Sequence, residues 1–121
     1  MLEKQYFIPE PEEFISEKPM TAAMKAIKKE RDQEVRDVIA GRSDKMLVIV
    51  GPCSAHEPAP TLEYISRLGK LNEQVKDKLV IVPRIYTNKP RTKGVGYKGM
   101  FLQPDPEGAP DIARGIRSIR A

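Results

Sequence analysis

Met46-Leu47-Val48-Ile49-Val50, stopped by Gly51-Pro52, is an unbroken apolar run. Its length and β-branched content suit a strand buried on both faces, the form a parallel sheet requires. Further along the period changes: between Thr61 and Val75, Leu62, Ile65, Leu68, Leu71 and Val75 recur at three- and four-residue steps, the stripe of an amphipathic helix. A second β-branched run follows, Leu79-Val80-Ile81-Val82, continuing through Pro83 towards Ile85 and Tyr86. Strand, helix and strand at this spacing predict a βαβ unit with a right-handed crossover. Pro83 forfeits a ladder hydrogen bond, so it marks a bulge or the end of its strand.

Upstream, Thr21 can cap a helix running to about Ala40, with Gly41 as its stop. Met24, Ile27, Val35, Val38 and Ile39 fall roughly on one face of it, with Arg31 interrupting the stripe. Residues 1 to 19 carry Pro9, Pro11 and Pro19 and read as an extended arm, because proline removes backbone donors and breaks helices. Downstream, Gly94 to Gly108 is rich in Gly and Pro and reads as loop. Ala109 to Arg120 is a last helical pattern, with Ile112, Ile116 and Ile119 on one face. Two strands alone do not make a stable parallel sheet covered on both faces. The element count is therefore that of a truncated parallel α/β fold, since a full (β/α) barrel takes roughly 250 residues and this chain has 121.

The totals exclude several classes. Hydrophobic residues at 40% and charged residues at 31% are a soluble balance, not that of a disordered chain. No apolar run approaches the ~20 residues of a membrane span, and Met1-Leu2-Glu3-Lys4 lacks the apolar stretch of a secretion signal. A cytoplasmic location is the expectation. The net charge of +4 suits anionic small molecules or nucleic acid. Nucleic-acid surfaces usually interleave cations with aromatics, and seven aromatics (Tyr 4, Phe 3, Trp 0) are few for that purpose. Cys53 is the lone cysteine, so no internal disulfide forms.

In parallel α/β folds the loops after the strands hold the active site. The first strand leads into Gly51-Pro52-Cys53-Ser54-Ala55-His56-Glu57-Pro58, and the second into Arg84-Ile85-Tyr86-Thr87-Asn88-Lys89-Pro90-Arg91-Thr92-Lys93-Gly94. Both sets are expected at one end of neighbouring strands. Arg offers a planar fork for carboxylate or phosphate, and Lys a compact point charge. Thr92 adds a hydroxyl, and amides around Gly94 and Gly96 can approach an oxyanion closely. Arg84, Lys89, Arg91 and Lys93 crowd into ten positions and repel one another unless an anion sits among them; a solvated charge cluster is the plainer alternative. Cys53 and His56 have C-x-x-H spacing, yet two ligands make a weak metal signal, and a small buried thiol is the competing reading of Cys53. For His56, loop packing or hydrogen bonding near the helix start is preferred.

The blocks Leu47 to Pro58, Arg84-Ile85-Tyr86, Lys89-Pro90-Arg91-Thr92 and Gly96-Tyr97-Lys98-Gly99 resemble the type I DAHP synthases over about residues 21 to 121. Members of that family open the shikimate pathway to the aromatic amino acids. The nucleophilic carbon of phosphoenolpyruvate attacks the aldehyde of erythrose 4-phosphate, water adds to the resulting cation, and phosphate leaves. The resemblance implies a (β/α)8 TIM barrel, of which residues 46–121 are the first βα units. It implies that residues 1–45 form an N-terminal arm and helix serving oligomer contacts or regulation in a homo-oligomer. It also implies a divalent metal of the Mn, Fe, Co or Zn type, with Cys53 as one ligand and the His, Glu and Asp ligands on later strands. Carried over by position, Arg84 binds phosphoenolpyruvate, Lys89 lies between the two substrates as the catalytic lysine, and Pro90, Arg91 and Thr92 hold erythrose 4-phosphate. Two departures stand out. The Lys93-Gly94-Val95 spacer before Gly96 is one residue longer than in the enterobacterial pattern, and Tyr97 stands where that pattern has Trp. They leave any particular feedback inhibitor open.

Three other readings remain at this level. A sister synthase condenses phosphoenolpyruvate with arabinose 5-phosphate, but the Lys89-Pro90-Arg91-Thr92 block disfavours it. A non-catalytic anion- or RNA-binding piece would use the same basic loop, and would show steep salt dependence. A decayed reading frame would carry only the ancestry. The expectation is no nucleic-acid or membrane partner, and no turnover by these 121 residues alone, because one ligand cannot retain a metal.

Overall fold

The structure, a computed structural model, describes residues 7–121. Its element order is α1 (Pro11–Glu17), α2 (Ala22–Ile39), β1 (Met46–Val50), α3 (Pro58–Val75), β2 (Leu79–Pro83) and α4 (Ile112–Arg120). This is a mixed α/β chain whose sheet is a parallel pair, β1 beside β2, with α3 as the connection. Met46 pairs with Leu79 and Val50 with Pro83, without a bulge. Pro83 ends its strand, as its missing donor requires.

The chain forms two compact units. One is made of Met20–Cys53 and Pro58–Tyr86 and carries α2, β1, α3 and β2. The other combines the described residues up to Pro19 with Ser54–Glu57 and Thr87–Ala121, and carries α1 and α4.

In the first unit, α2 starts where the Thr21 hydroxyl oxygen accepts the Met24 N–H at 3.1 Å, satisfying a donor that has no partner inside the helix. It stops at Gly41, whose φ of 70° is the left-handed conformation that glycine adopts without a steric penalty. Its apolar stripe is only partly covered: Val35 and Val38 are half-buried, while Met24, Ile27 and Ile39 are exposed. α3 begins a turn earlier than the apolar period indicates. Pro58 and Pro60 fall in the first helical turn, where their missing N–H groups would have had no partner anyway. Val80 is the buried residue of β2, and Ile49 of β1 is exposed. Beside them lies an open apolar groove of about 890 Å³, lined among others by Ile27, Leu47, Ile49, Ile65, Leu68 and Val82.

The expected extended arm over residues 1 to 19 is corrected in part. Residues 11–17 are helical, and residues 1–6 lie outside the described residues. Pro11 occupies the first helical position, where it costs no hydrogen bond. The Glu13 N–H donates to the Glu10 carbonyl at 3.0 Å, and the Glu13 side chain accepts the Glu10 N–H at 3.3 Å. Glu12 and Glu13 place negative charge in the first turn, where the helix dipole favours it. Phe14 is the buried residue of α1. The Arg117 guanidinium of α4 lies 5.2 Å from the Phe14 ring centroid and grips Glu17 with two hydrogen bonds of 2.7 and 2.9 Å. That grip holds the Glu17 carboxyl below the usual glutamate range. α4 itself starts at Ile112, three residues later than the pattern suggests, because Asp111 caps it by accepting the Arg114 N–H at 2.9 Å.

Candidate functional site

Within their unit, the segments just after β1 and β2 are held together by a close backbone approach and two hydrogen bonds. A side chain at Gly51 would put its Cβ 1.8 Å from the Arg84 carbonyl oxygen, so only glycine fits. The ladder continues one step past the strands, since the Arg84 N–H donates to the Val50 carbonyl at 2.8 Å. Arg84 then turns its side chain back: Nη1 donates to the Pro52 carbonyl at 3.0 Å, and the guanidinium carbon lies 4.6 Å from the centroid of the Tyr86 ring. A guanidinium has five N–H donors, and among the described residues no carboxylate lies within ion-pair distance of this one. The fork is oriented at one edge and open to an acceptor at the rest.

Cys53 is the third residue after β1 and is exposed. The structure thus removes the buried-thiol reading. The described residues contain no cluster of three or more His, Cys, Asp or Glu side chains able to hold a metal ion. Cys53 by itself does not make a divalent site, which takes three or four protein ligands when the metal is structural or catalytic.

Lys89, Pro90, Arg91 and Thr92 belong to the other unit, in the stretch between β2 and α4 that has no helix or strand. Backbone bonds give this stretch its shape. The Lys89 N–H donates to the Lys98 carbonyl at 3.0 Å, and the Phe101 N–H to the Thr87 carbonyl at 2.9 Å. Gly99 makes the doubling-back possible: its φ is +98°, and a Cβ there would meet the Thr87 carbonyl oxygen at 2.4 Å. A turn closes over Arg91 to Gly94, where the Gly94 N–H donates to the Arg91 carbonyl at 2.9 Å. Its residues are exposed. Arg91 Nε donates to the Tyr97 carbonyl at 2.9 Å, and this guanidinium too has no carboxylate partner among the described residues.

Two features of this unit were not visible as site elements in the sequence. The His56 ring stacks on Tyr97, with centroids 4.7 Å apart and planes 22° from parallel. The Tyr97 hydroxyl is buried with no hydrogen-bond partner among the described residues, and burial pushes its phenol pKa up. The loop-packing reading of His56 agrees with this stack. The only sequence signal for it was an aromatic residue after Gly96, and nothing in the spacing says which ring meets it.

Residues 18–118 match the DAHP synthetase I family. The chain belongs to that family. Its relatives include the phospho-2-dehydro-3-deoxyheptonate aldolase of Corynebacterium glutamicum, 40% identical over 114 residues, which are 93% of this chain and 31% of that protein. The tyrosine-inhibited aldolase of Candida albicans is 48% identical over 83 residues, 69% of this chain and 22% of that protein. The Tyr-sensitive aldolase of Escherichia coli is 37% identical over 110 residues, 91% of this chain and 31% of that protein. Among solved structures, the corresponding aldolase from Francisella tularensis superimposes with a TM-score of 0.86 at 31% identity, covering 98% of this chain and 34% of that one. As a DAHP synthetase I family member, the chain thus spans about a third of the length of the relatives it matches. No helix among its described residues is long and apolar enough to cross a membrane.

Proposed function

We propose that this chain supplies the phosphoenolpyruvate and sugar-phosphate contacts of a DAHP synthase, a transferase condensing phosphoenolpyruvate with erythrose 4-phosphate to give DAHP and phosphate. Residues 46–121 are, in this reading, the first βα units of a (β/α)8 barrel, and residues 1–45 an oligomer-contact or regulatory extension of a homo-oligomer. The cytoplasmic location expected from the sequence goes with it. The carrying observation is Arg84: a guanidinium at the end of a parallel strand, oriented by the Pro52 carbonyl and without a carboxylate opposite among the described residues. Family membership over residues 18–118 and the matched block Lys89 to Thr92 support the same reading.

Each side chain has a defined task in it. Arg84 presents a planar fork to the carboxylate or phosphate of phosphoenolpyruvate. Lys89 places a point charge between the substrates, and Arg91 with Thr92 and the backbone at Pro90 holds the phosphate of erythrose 4-phosphate. What these residues contribute is neutralisation of two anions and their positioning. Cys53 is assigned as one ligand of the family's divalent metal, whose remaining ligands are not among the described residues.

Titration of the 15N-labelled chain with each substrate tests the reading. Phosphoenolpyruvate is expected to shift the Arg84 resonances saturably, and Arg84→Ala to abolish the effect; erythrose 4-phosphate is expected to act on Arg91 and Thr92. With both substrates and added divalent metal, the chain alone is expected to form no DAHP. Absence of saturable shifts, with tight RNA binding that weakens steeply in salt, would replace this reading by the RNA-binding one. Measurable DAHP would overturn the assignment of Cys53 as an insufficient ligand set.

A further inference from the structure

We infer that His56 is a positioning residue for the Arg91 guanidinium, acting through the ring of Tyr97. The inference rests on the proposed role of Arg91 as a sugar-phosphate contact, and it concerns how that fork is aimed.

The Tyr97 carbonyl accepts the Arg91 Nε–H at 2.9 Å, which leaves the two terminal nitrogens of the fork to face a ligand. The neighbouring Lys98 carbonyl accepts the Lys89 N–H at 3.0 Å. The bond to Lys98 holds only backbone, so within the short strip Tyr97-Lys98 it is the Tyr97 carbonyl that aims a charged side chain, that of Arg91. That strip sits between Gly96 and Gly99, with φ values of +93° and +98°. Backbone bonds from the Lys89 N–H to the Lys98 carbonyl and from the Gln103 N–H to the Gly99 carbonyl anchor the far end of the strip, so side-chain contacts are left to orient its near end at Tyr97. The Tyr97 hydroxyl does not supply it, being buried with no partner among the described residues. The ring face does: it lies against the His56 imidazole at a 4.7 Å centroid distance, inside the range of stacked rings. His56 is held in turn by its place next to buried Ala55 and by buried Ser54, whose Oγ lies 3.4 Å from His56 Nδ1. All of these residues belong to one unit, so the chain of contacts is continuous: Ser54, His56, Tyr97, Arg91. A stack asks only for a flat ring, so Phe should replace His56 and Ala should not.

His56 is the single histidine of the chain, so its imidazole protons are resolved without assignment work. In the wild type these protons are expected upfield of a free imidazole, shifted by the Tyr97 ring current. Tyr97→Leu should abolish the shift, and Tyr97→Phe should keep it. The Arg91 Nε–H should exchange with solvent about fivefold faster in His56→Ala and Tyr97→Leu, but at wild-type rate in His56→Phe. Erythrose 4-phosphate affinity should fall by about the same factor in His56→Ala and be restored in His56→Phe, with phosphoenolpyruvate affinity unchanged throughout. Equal Arg91 Nε–H exchange in wild type and His56→Ala overturns the inference, as does a phosphoenolpyruvate affinity that falls equally. If erythrose 4-phosphate does not bind the wild type at all, the substrate reading of Arg91 fails, and the exchange rates alone decide whether His56 positions it.

Discussion

Gly51 and Arg84 show how a single atom can dictate a residue. The missing side chain at Gly51 lets the Arg84 carbonyl enter the space a Cβ would fill, and that approach brings the two strand-end loops into register. Gly51→Ala must push backbone against backbone, which no rotamer relieves. It is expected to lower stability by about 3 kcal/mol, at the upper end of overpacking changes, and a urea midpoint comparison checks this. Gly69 has open space around its Cβ position, so Gly69→Ala in the exposed helix α3 should instead be neutral or slightly stabilising and serves as the control. Of the residues assigned to the candidate site, Arg84, Lys89, Arg91 and Thr92 stood out by type and by their place after a strand as an anion-binding cluster, and their separate substrate roles rest on the family resemblance. Their backbone acceptors were not legible, because the Pro52 and Tyr97 carbonyls carry no side-chain signature. His56 was readable as packing, but its partner Tyr97 lies 41 positions away in a loop without periodicity.

The elements were legible in proportion to how strongly their periodicity constrains them. β1, β2 and α2 sit where their patterns place them, and the Thr21 cap and Gly41 stop behave as their chemistry requires. Proline misled at Pro11, because it breaks a helix interior but is neutral in a first turn. α2 also shows what holds a helix whose apolar face is only partly covered. Lys28–Asp32 at 2.6 Å and Arg31–Glu34 at 2.7 Å run along it, and Glu34 reaches Lys45, just before β1, at 3.6 Å. The hydrogen bond from Arg31 holds the Glu34 carboxyl below its ordinary value of 4.5, with Lys45 adding to the effect. A carboxyl depressed in the folded state stabilises fully above its unfolded value and loses that contribution as pH falls through the lower native one. Glu34→Gln should therefore cost about 0.5 kcal/mol at neutral pH, the scale of partly exposed ion pairs. The gap from wild type should stay level down to about pH 5 and close below 4.5. Urea midpoints taken across this range check it, and a gap that widens on acidification would contradict the assignment.

At the scale of the whole molecule, the parallel pair bears out the α/β class read from the sequence, while the (β/α)8 barrel implied by the family resemblance goes beyond what these residues form. Two strands and four helices among the described residues define a βαβ unit and a second unit built around α1 and α4. They do not define a barrel, and the open apolar groove beside Ile49 and Val82 shows that β1 and β2 leave surface of core character uncovered. Composition could not reveal this, because apolar residues count equally whether they find a partner or not. The match to a third of longer relatives has the same physical content: the motifs at strand ends carry the ancestry in few residues, while a closed core needs many.

The exposed turn from Arg91 to Gly94 has one more consequence, for how the chain is cut. Trypsin hydrolyses after Lys and Arg except before Pro, so the Lys89-Pro90 bond resists it while the bonds after Arg91 and Lys93 lie on an exposed, irregular segment. Limited digestion should nick there before it enters α2 or α3. The larger product then keeps β1, α3 and β2 whole, and the smaller, ending at Ala121, carries α4. Because Arg117 grips Glu17 and Arg120 donates to the Lys18 carbonyl at 2.8 Å, the two products should elute together under native conditions and separate only in denaturant.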